Sequence, residues 1–198
     1  MERAIIIFTI ALTVAGLGHC NKARAADNTI IVEQIGNYNT TTITQDGNGH
    51  SATVKLGATS DVEYTTVSIL QQNAPKTASV EIKNGVSNAI SLQQSGAGNH
   101  TASIQNLSGG GNSINITQQG DGNHEFNVIN TVGTTNNANT INATQSGGVG
   151  SDKWFNVWMN GATGANVNVQ QGGAGAAQSS MSIQCMPGTC GTWSYTRQ

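Results

Sequence analysis

The sequence predicts an all-β protein, a two-sheet β-solenoid of about seven strand-turn-strand coils with the cross-β stacking of an amyloid. Three observations carry that prediction. Gly, Asn, Thr, Ser and Gln supply just over half of the 198 residues, while charged residues make up 9% and aromatics 5%. Past residue 25, apolar and polar residues alternate strictly, with no 3.6-residue periodicity. A signature of Asn, aliphatic, aliphatic and Gln at every second position recurs along the chain, its Gln anchors spaced 26, 23, 24, 27 and 26 residues apart.

Composition also excludes classes. Ordinary globular domains carry roughly 25% charged residues, and disordered chains usually combine high net charge with abundant Pro, Glu and Lys. This chain has two prolines and a formal charge of −2. It has no basic footprint for a nucleic-acid backbone. A glycine- and amide-rich chain with so little charge reads as a repeat structure, an aggregation-prone tract, or both.

The elements follow in order. Met1, Glu2 and Arg3 precede a mostly apolar run from Ala4 to Gly18. That run is shorter than the roughly 20 residues a membrane span needs. It reads as the core of a secretory signal covering residues 1–25, with Ala23, Arg24 and Ala25 as the cleavage site. Lipidation at Cys20 is set aside because His19 stands where a small residue belongs. Residues 26–198 then carry five Lys/Arg against nine Asp/Glu.

Residues 26–184 form the repeat region. Asn39, Thr41, Ile43 and Gln45 open the series. Asn88, Ile90, Leu92 and Gln94 continue it, followed by Asn112, Ile114, Ile116 and Gln118, then Asn139, Ile141, Ala143 and Gln145. Variants end at Gln71 and Gln171. Stacked strands lie about 4.8 Å apart, so each inward Gln sits over the next. A lone buried amide is costly, but in a ladder each side chain donates to one neighbour and accepts from the other. The expected ladder comprises Gln34, Gln45, Gln71, Gln94, Gln118, Gln145 and Gln171, started by Asn39, Asn88, Asn112 and Asn139. Gly36, Gly47, Gly96 and Gly120 permit the corners, where positive φ is needed.

Between anchors run weaker second arms, ending near Gln34, Leu56, Lys83, Asn106, Asn130, Met159 and Cys185. The count is fourteen arms in seven turns. Ala102/Ile104 and Phe126/Val128 fall one residue out of step with Ala52/Val54 and Ala78/Val80. Either a bulge or a one-residue corner insertion accommodates this. Residues 185–198 form a terminal turn and strand. Cys185 and Cys190 flank a Pro-Gly turn, and a disulfide is expected there in a secreted chain over free thiols or a zinc site.

These residues resemble the curlin repeat of bacterial curli amyloid subunits, in which a Gln, a Gly, a Gly-Asn or Asn-Asn pair, an Ala or Ser and a second Gln recur after a leading Ser. Gln94, Gly96, Gly98, Asn99 and Gln105 fit it, with Thr101 in the Ala/Ser place. Gln34, Gly36, Asn39, Thr41 and Gln45 fit as well, while Gln118, Gly120, Gly122 and Asn123 match only the first half because Ile129 replaces the closing Gln. The leading Ser is replaced by Asn28, Asn39, Asn88, Asn112 and Asn139. The resemblance implies a structural subunit of extracellular, cell-surface fibres in biofilm matrix and adhesion. It implies self-polymerisation, a homologous curli-type partner subunit and export through an outer-membrane secretion pore.

Three features depart from the family. Asn28 begins the first repeat without the Gly-rich export leader of the major curli subunit; the loops at 147–153 and 172–180 are long; and the cysteine pair is foreign to the pattern. The alternatives are a minor nucleating or terminating subunit, or a monomeric secreted solenoid adhesin.

Other signals are weaker. His100 and His124, 24 residues apart, read as solvated corner histidines rather than a metal or pH-sensitive pair. His50 sits in a related corner. Gly109, Gly110 and Gly111 lack the Lys-Ser/Thr of a phosphate loop and read as a flexible corner. Trp154, Phe155 and Trp158 read as core packing with a rim residue rather than a glycan patch. Thr40, Thr42 and Thr44 do not recur as a surface-binding face. The scattered carboxylates form no catalytic motif, so no enzyme activity, cofactor, metal, nucleic acid or small-molecule substrate is expected.

Overall fold

The computed structural model describes residues 28–57, 60–173, 179–187 and 190–198; the expected secretory signal lies outside them. Period-two alternation yields strands β1 (Thr29–Gln34), β2 (Thr40–Gly47), β3 (Ser51–Leu56), β4 (Val62–Glu63), β5 (Thr66–Asn73), β6 (Lys76–Val86), β7 (Ala89–Ser95) and β8 (His100–Ser108). They continue as β9 (Ser113–Gly120), β10 (His124–Asn130), β11 (Thr140–Gly147), β12 (Lys153–Met159), β13 (Asn166–Gln171), β14 (Ser179–Cys185) and β15 (Thr192–Arg197).

The strands form two parallel sheets. One runs β1-β3-β6-β8-β10-β12-β14, with the short β4 also on β6; the other runs β2-β5-β7-β9-β11-β13-β15. Each main path holds seven strands, so the chain alternates between sheets and about six turns separate the first strand pair from the last. The expected all-β solenoid is therefore the observed architecture. β4 pairs its Val62 and Glu63 with Gly85 and Val86; no anchor marks this extra strand in the sequence.

The core is thin and built of columns. In the first sheet Ala52, Ala78, Ala102, Phe126 and Phe155 stack in register, as do Val54, Val80, Ile104, Val128 and Val157. In the second, Val67, Ile90, Ile114, Ile141 and Val167 stack beside Ile69, Leu92, Ile116, Ala143 and Val169. All of these are buried. Stacking meets the shortage of apolar residues, because each coil covers its neighbours' faces rather than closing over itself.

The out-of-step arms are reconciled by both devices. The corner from Gln94 to His100 is one residue longer than that from Gln71 to Lys76, which restores Ala78 opposite Ala102 and Val80 opposite Ile104. A bulge then follows, since Ile82 faces Leu107 rather than Asn106. Asn106 is the extra residue, at φ +54°, a left-handed conformation that asparagine tolerates well. The bulge sets Leu107 rather than Asn106 on the inward face, opposite Ile82, which keeps the inward parity of Ala78 and Val80.

Candidate functional site: polar columns and open ends

One unbroken amide column runs through the second sheet. Gln45 Nε2 donates to Gln71 Oε1 at 2.9 Å, Gln71 to Gln94 at 3.0 Å, and Gln94 to Gln118 at 2.9 Å. Gln118 donates to Gln145 at 2.9 Å and Gln145 to Gln171 at 3.1 Å. The second proton on Nε2 goes to a backbone carbonyl across the corner: Thr29 for Gln45, Ser51 for Gln71, Thr77 for Gln94, Thr101 for Gln118. Each interior glutamine thus satisfies its whole amide in a dry site, the condition under which buried polar groups are tolerated.

Gln34 is not part of this column. It ends β1 in the other sheet, opposite Leu56, because it closes a second arm rather than an anchor arm. Its Oε1 is buried without a partner.

A second polar column stands before each anchor strand and runs in the opposite sense. Asn112 and Asn139 donate Nδ2 back to Oδ1 of Asn88 and Asn112 respectively, each at 3.0 Å. Thr65 interrupts it between Asn39 and Asn88, yet its N–H still donates to Asn39 Oδ1 at 2.9 Å. A left-handed residue precedes each of these positions, since Tyr38, Tyr64, Ser87, Gly111 and Ala138 all have positive φ, as does Gly164 before Ala165, whose N–H donates to Asn139 Oδ1. That kink turns the following side chain inward. Tyr38 and Tyr64 stack in this row with ring centroids 4.9 Å apart.

The corner glycines serve conformation and clearance together. Gly36, Gly47, Gly96 and Gly120 have φ of +116°, +124°, +98° and +102°. A Cβ on Gly96 would overlap the Gly120 carbonyl, and one on Gly120 the Gly147 carbonyl, so coils approach backbone to backbone here.

The third polar column corrects the reading of the histidines. His100 and His124 are not solvated; each is 1% exposed, and their rings stack at 4.8 Å and 3°. Register extends the column to His50, Lys76 and Lys153, all buried. His50, His100 and His124 bond through Nε2 to the carbonyls of Asp46, Ser95 and Gln119 at 3.2, 2.8 and 3.0 Å. A carbonyl only accepts, so each Nε2 carries the proton and Nδ1 is the bare acceptor. His100 Nδ1 receives the His124 N–H at 3.4 Å. Lys76 Nζ donates to the carbonyls of Ala74, Gly96 and Gly98 at 2.8, 2.9 and 2.6 Å.

Burial disfavours the charged form of all five groups. It pushes His100 down to about 4, reinforced by His124 and Lys76 and opposed by the bond to Ser95, and it pushes Lys76 down to about 8. His50, His124 and Lys153 are also lowered, with burial the main cause. The sequence concealed this column because the corner preceding it lengthens from Gln45–His50 to Gln145–Lys153.

The two ends differ from the middle. Val32, Ile43, Met181, Ile183 and Tyr195 are half-buried, whereas their column-mates in the inner coils are closed off from solvent. Cys185 and Cys190 form a disulfide with Cα atoms 5.0 Å apart beside the last strand. Phe155 is core, and Trp158 is exposed at the rim. Among the described residues no group of three or more His, Cys, Asp or Glu is placed to hold a metal ion.

Residues 25–55 match the family model of the curlin associated repeat. No curated protein and no solved structure matches the chain. The matched segment includes β1, the Gly36 corner, β2 and the Gly47 corner, which is one complete coil and the start of the next. The match covers residues 25–55 and shows a likeness to the curlin associated repeat there; the coils that follow repeat the same strand-corner-strand geometry along the described chain.

Proposed function

We propose that this protein is a structural subunit of an extracellular, curli-like amyloid fibre, which grows by stacking the end coils of successive copies. The observation that carries the reading is the contrast between closed inner columns and half-buried outer ones. Terminal strands present unpaired N–H and C=O groups, and an open edge templates another strand. The secretory signal, an outer-membrane secretion pore and a homologous curli-type subunit belong to the same reading by family analogy. The chemistry is non-catalytic: ladders, columns and corners position strands, and no substrate is turned over.

A second reading, a minor nucleating or terminating subunit, is favoured by one observation. The last coil departs from the repeat by placing Arg197 opposite Gln171 and stapling its turn with Cys185–Cys190. The experiment is quiescent incubation of the purified protein, followed by sedimentation, thioflavin-T fluorescence and electron microscopy. Fibres elongated by seeds of the same protein support the structural subunit. A protein that forms few fibres alone but abolishes the lag of a curli-type subunit supports the nucleator. A persistent monomer overturns both in favour of the adhesin.

A further inference from the structure

Two tyrosines occupy positions for which neither packing nor turn chemistry accounts. The row of left-handed residues before each anchor strand holds small side chains from the third coil onward, Ser87, Gly111, Ala138 and Gly164. Its first two places hold Tyr38 and Tyr64, at φ +57° and +51°. A bulky residue in that region is a backbone outlier, and such outliers point to function. Burial does not offset the cost, because Tyr38 is 72% and Tyr64 56% exposed. What the two side chains do have is each other. Tyr64 N–H donates to the Asn37 carbonyl at 3.3 Å, and β2 pairs with β5 directly afterwards. The rings are thereby held on adjacent coils, centroids 4.9 Å apart and 8° from parallel. The third tyrosine of the chain, Tyr195, lies on β15 in the last coil, beside Trp193.

We propose that Tyr38 and Tyr64 form an oxidative cross-linking site, which a haem peroxidase with hydrogen peroxide converts to a dityrosine joining the first coil to the second. Each phenol gives up one electron and one proton and becomes a phenoxyl radical. The radicals couple through ring carbons ortho to oxygen, forming one carbon–carbon bond. The two ortho hydrogens then move to the oxygens and restore both phenols. One hydrogen peroxide takes up the two electrons and two protons and becomes two waters, so the chain loses two hydrogen atoms in all. Coupling in solution requires two radicals to meet; here the fold holds them as neighbours, which makes the step intramolecular. Their exposure lets the oxidant reach the phenols and lets the rings swing edge to edge. The location gives the bond a consequence. Val32 and Ile43 of the first coil are only half-buried, and the last coil already carries an oxidative bond, Cys185–Cys190. A dityrosine staples the opposite end. The site requires one folded copy and stands apart from the fibre reading.

The test treats dilute, freshly purified full-length protein with a haem peroxidase and hydrogen peroxide. Monomer-sized product is then isolated and read by dityrosine fluorescence and by mass spectrometry of its peptides. The expected product is lighter by two hydrogens and yields one cross-linked peptide pair, containing Tyr38 and Tyr64. Tyr38→Phe and Tyr64→Phe keep the ring stack but each lowers the monomer's dityrosine signal about tenfold or more, whereas Tyr195→Phe leaves it within about twofold. Unfolding in urea before oxidation removes the preference for this pair. Hydrogen exchange in β1 and β2 of the cross-linked chain slows about tenfold, with β7 to β10 unchanged. A signal that survives Tyr38→Phe, cross-links to Tyr195 in equal yield, or the same preference in the unfolded chain overturns the site. Dityrosine found only in dimers and larger species places the coupling between copies and overturns it as well. Cross-linking that leaves exchange in β1 and β2 unaltered overturns the staple.

Discussion

Replacing Gln118 by leucine probes the amide column at its middle. Three bonds disappear: Gln94 Nε2 to Gln118 Oε1 at 2.9 Å, Gln118 Nε2 to Gln145 Oε1 at 2.9 Å, and Gln118 Nε2 to the Thr101 carbonyl at 3.0 Å. Gln94 keeps its bond to Thr77, leaving one amide proton unmet, and Gln145 Oε1 loses the donor it has here. Orphaned buried groups cost about 1–3 kcal/mol each, and the leucine returns about 1 kcal/mol through apolar burial. The net loss is about 3 kcal/mol, worked as two orphans less the apolar gain. Gln118 is fully buried, so water cannot satisfy the stranded groups. Thr117→Val, one residue away on the outward face, changes stability by less than about 0.5 kcal/mol. The assay is urea unfolding of both variants, followed by far-ultraviolet circular dichroism. If Gln118→Leu unfolds within about 0.5 kcal/mol of wild type, the amide column does not hold the coils in place and the reasoning fails.

Three further outcomes follow from the same geometry. His100 titrates at about 4 in the folded chain, against about 6.5 when unfolded, so the unfolded state takes up the proton first as pH falls. Stability is complete above about 6.5 and drains toward pH 4 by about 3 kcal/mol at this residue; His50 and His124 act in the same direction, and a flat urea midpoint between those pH values would sink the idea. Gly96→Ala puts a Cβ into the Gly120 carbonyl at φ +98° and destabilises by about 2 kcal/mol or more, read as a lowered thermal midpoint; an unchanged midpoint contradicts the close approach. The Cys185–Cys190 disulfide closes only a short loop, so reducing it costs about 2 kcal/mol, confined to the last coil. Hydrogen exchange then rises in β14 and β15 but stays slow in β7 to β10, and a global rise would contradict that local role.

The second sheet was legible because its anchor strands repeat without insertion. Gln94 and Gln118 sit at matching positions of matching strands, so spacing alone implies their stacking. The first sheet was harder to read. Corners of differing length precede His50, His100 and Lys153, and the same insertion that hides their common column also makes Ala102 and Phe126 look misplaced. Local chemistry pointed the wrong way for these histidines, since a residue after a Gly-Asn corner reads as solvated. Only pairing with Lys76 and Lys153 across coils shows them to be interior. Gln34 misled in the opposite way: it matches the repeat pattern but lies in the other sheet, opposite Leu56. Arg197 carried no signal of its own, because its place at the seventh rung follows from strand register rather than residue type.

Growth by stacked end coils requires the in-register stacking within one chain to continue from copy to copy. X-ray diffraction from aligned fibres of the purified protein tests it most directly. Parallel coils stacked along the fibre axis give a meridional reflection at about 4.7–4.8 Å and an equatorial one near about 10 Å. Assemblies lacking the meridional reflection, or a protein that stays monomeric at the concentrations used for alignment, would contradict it.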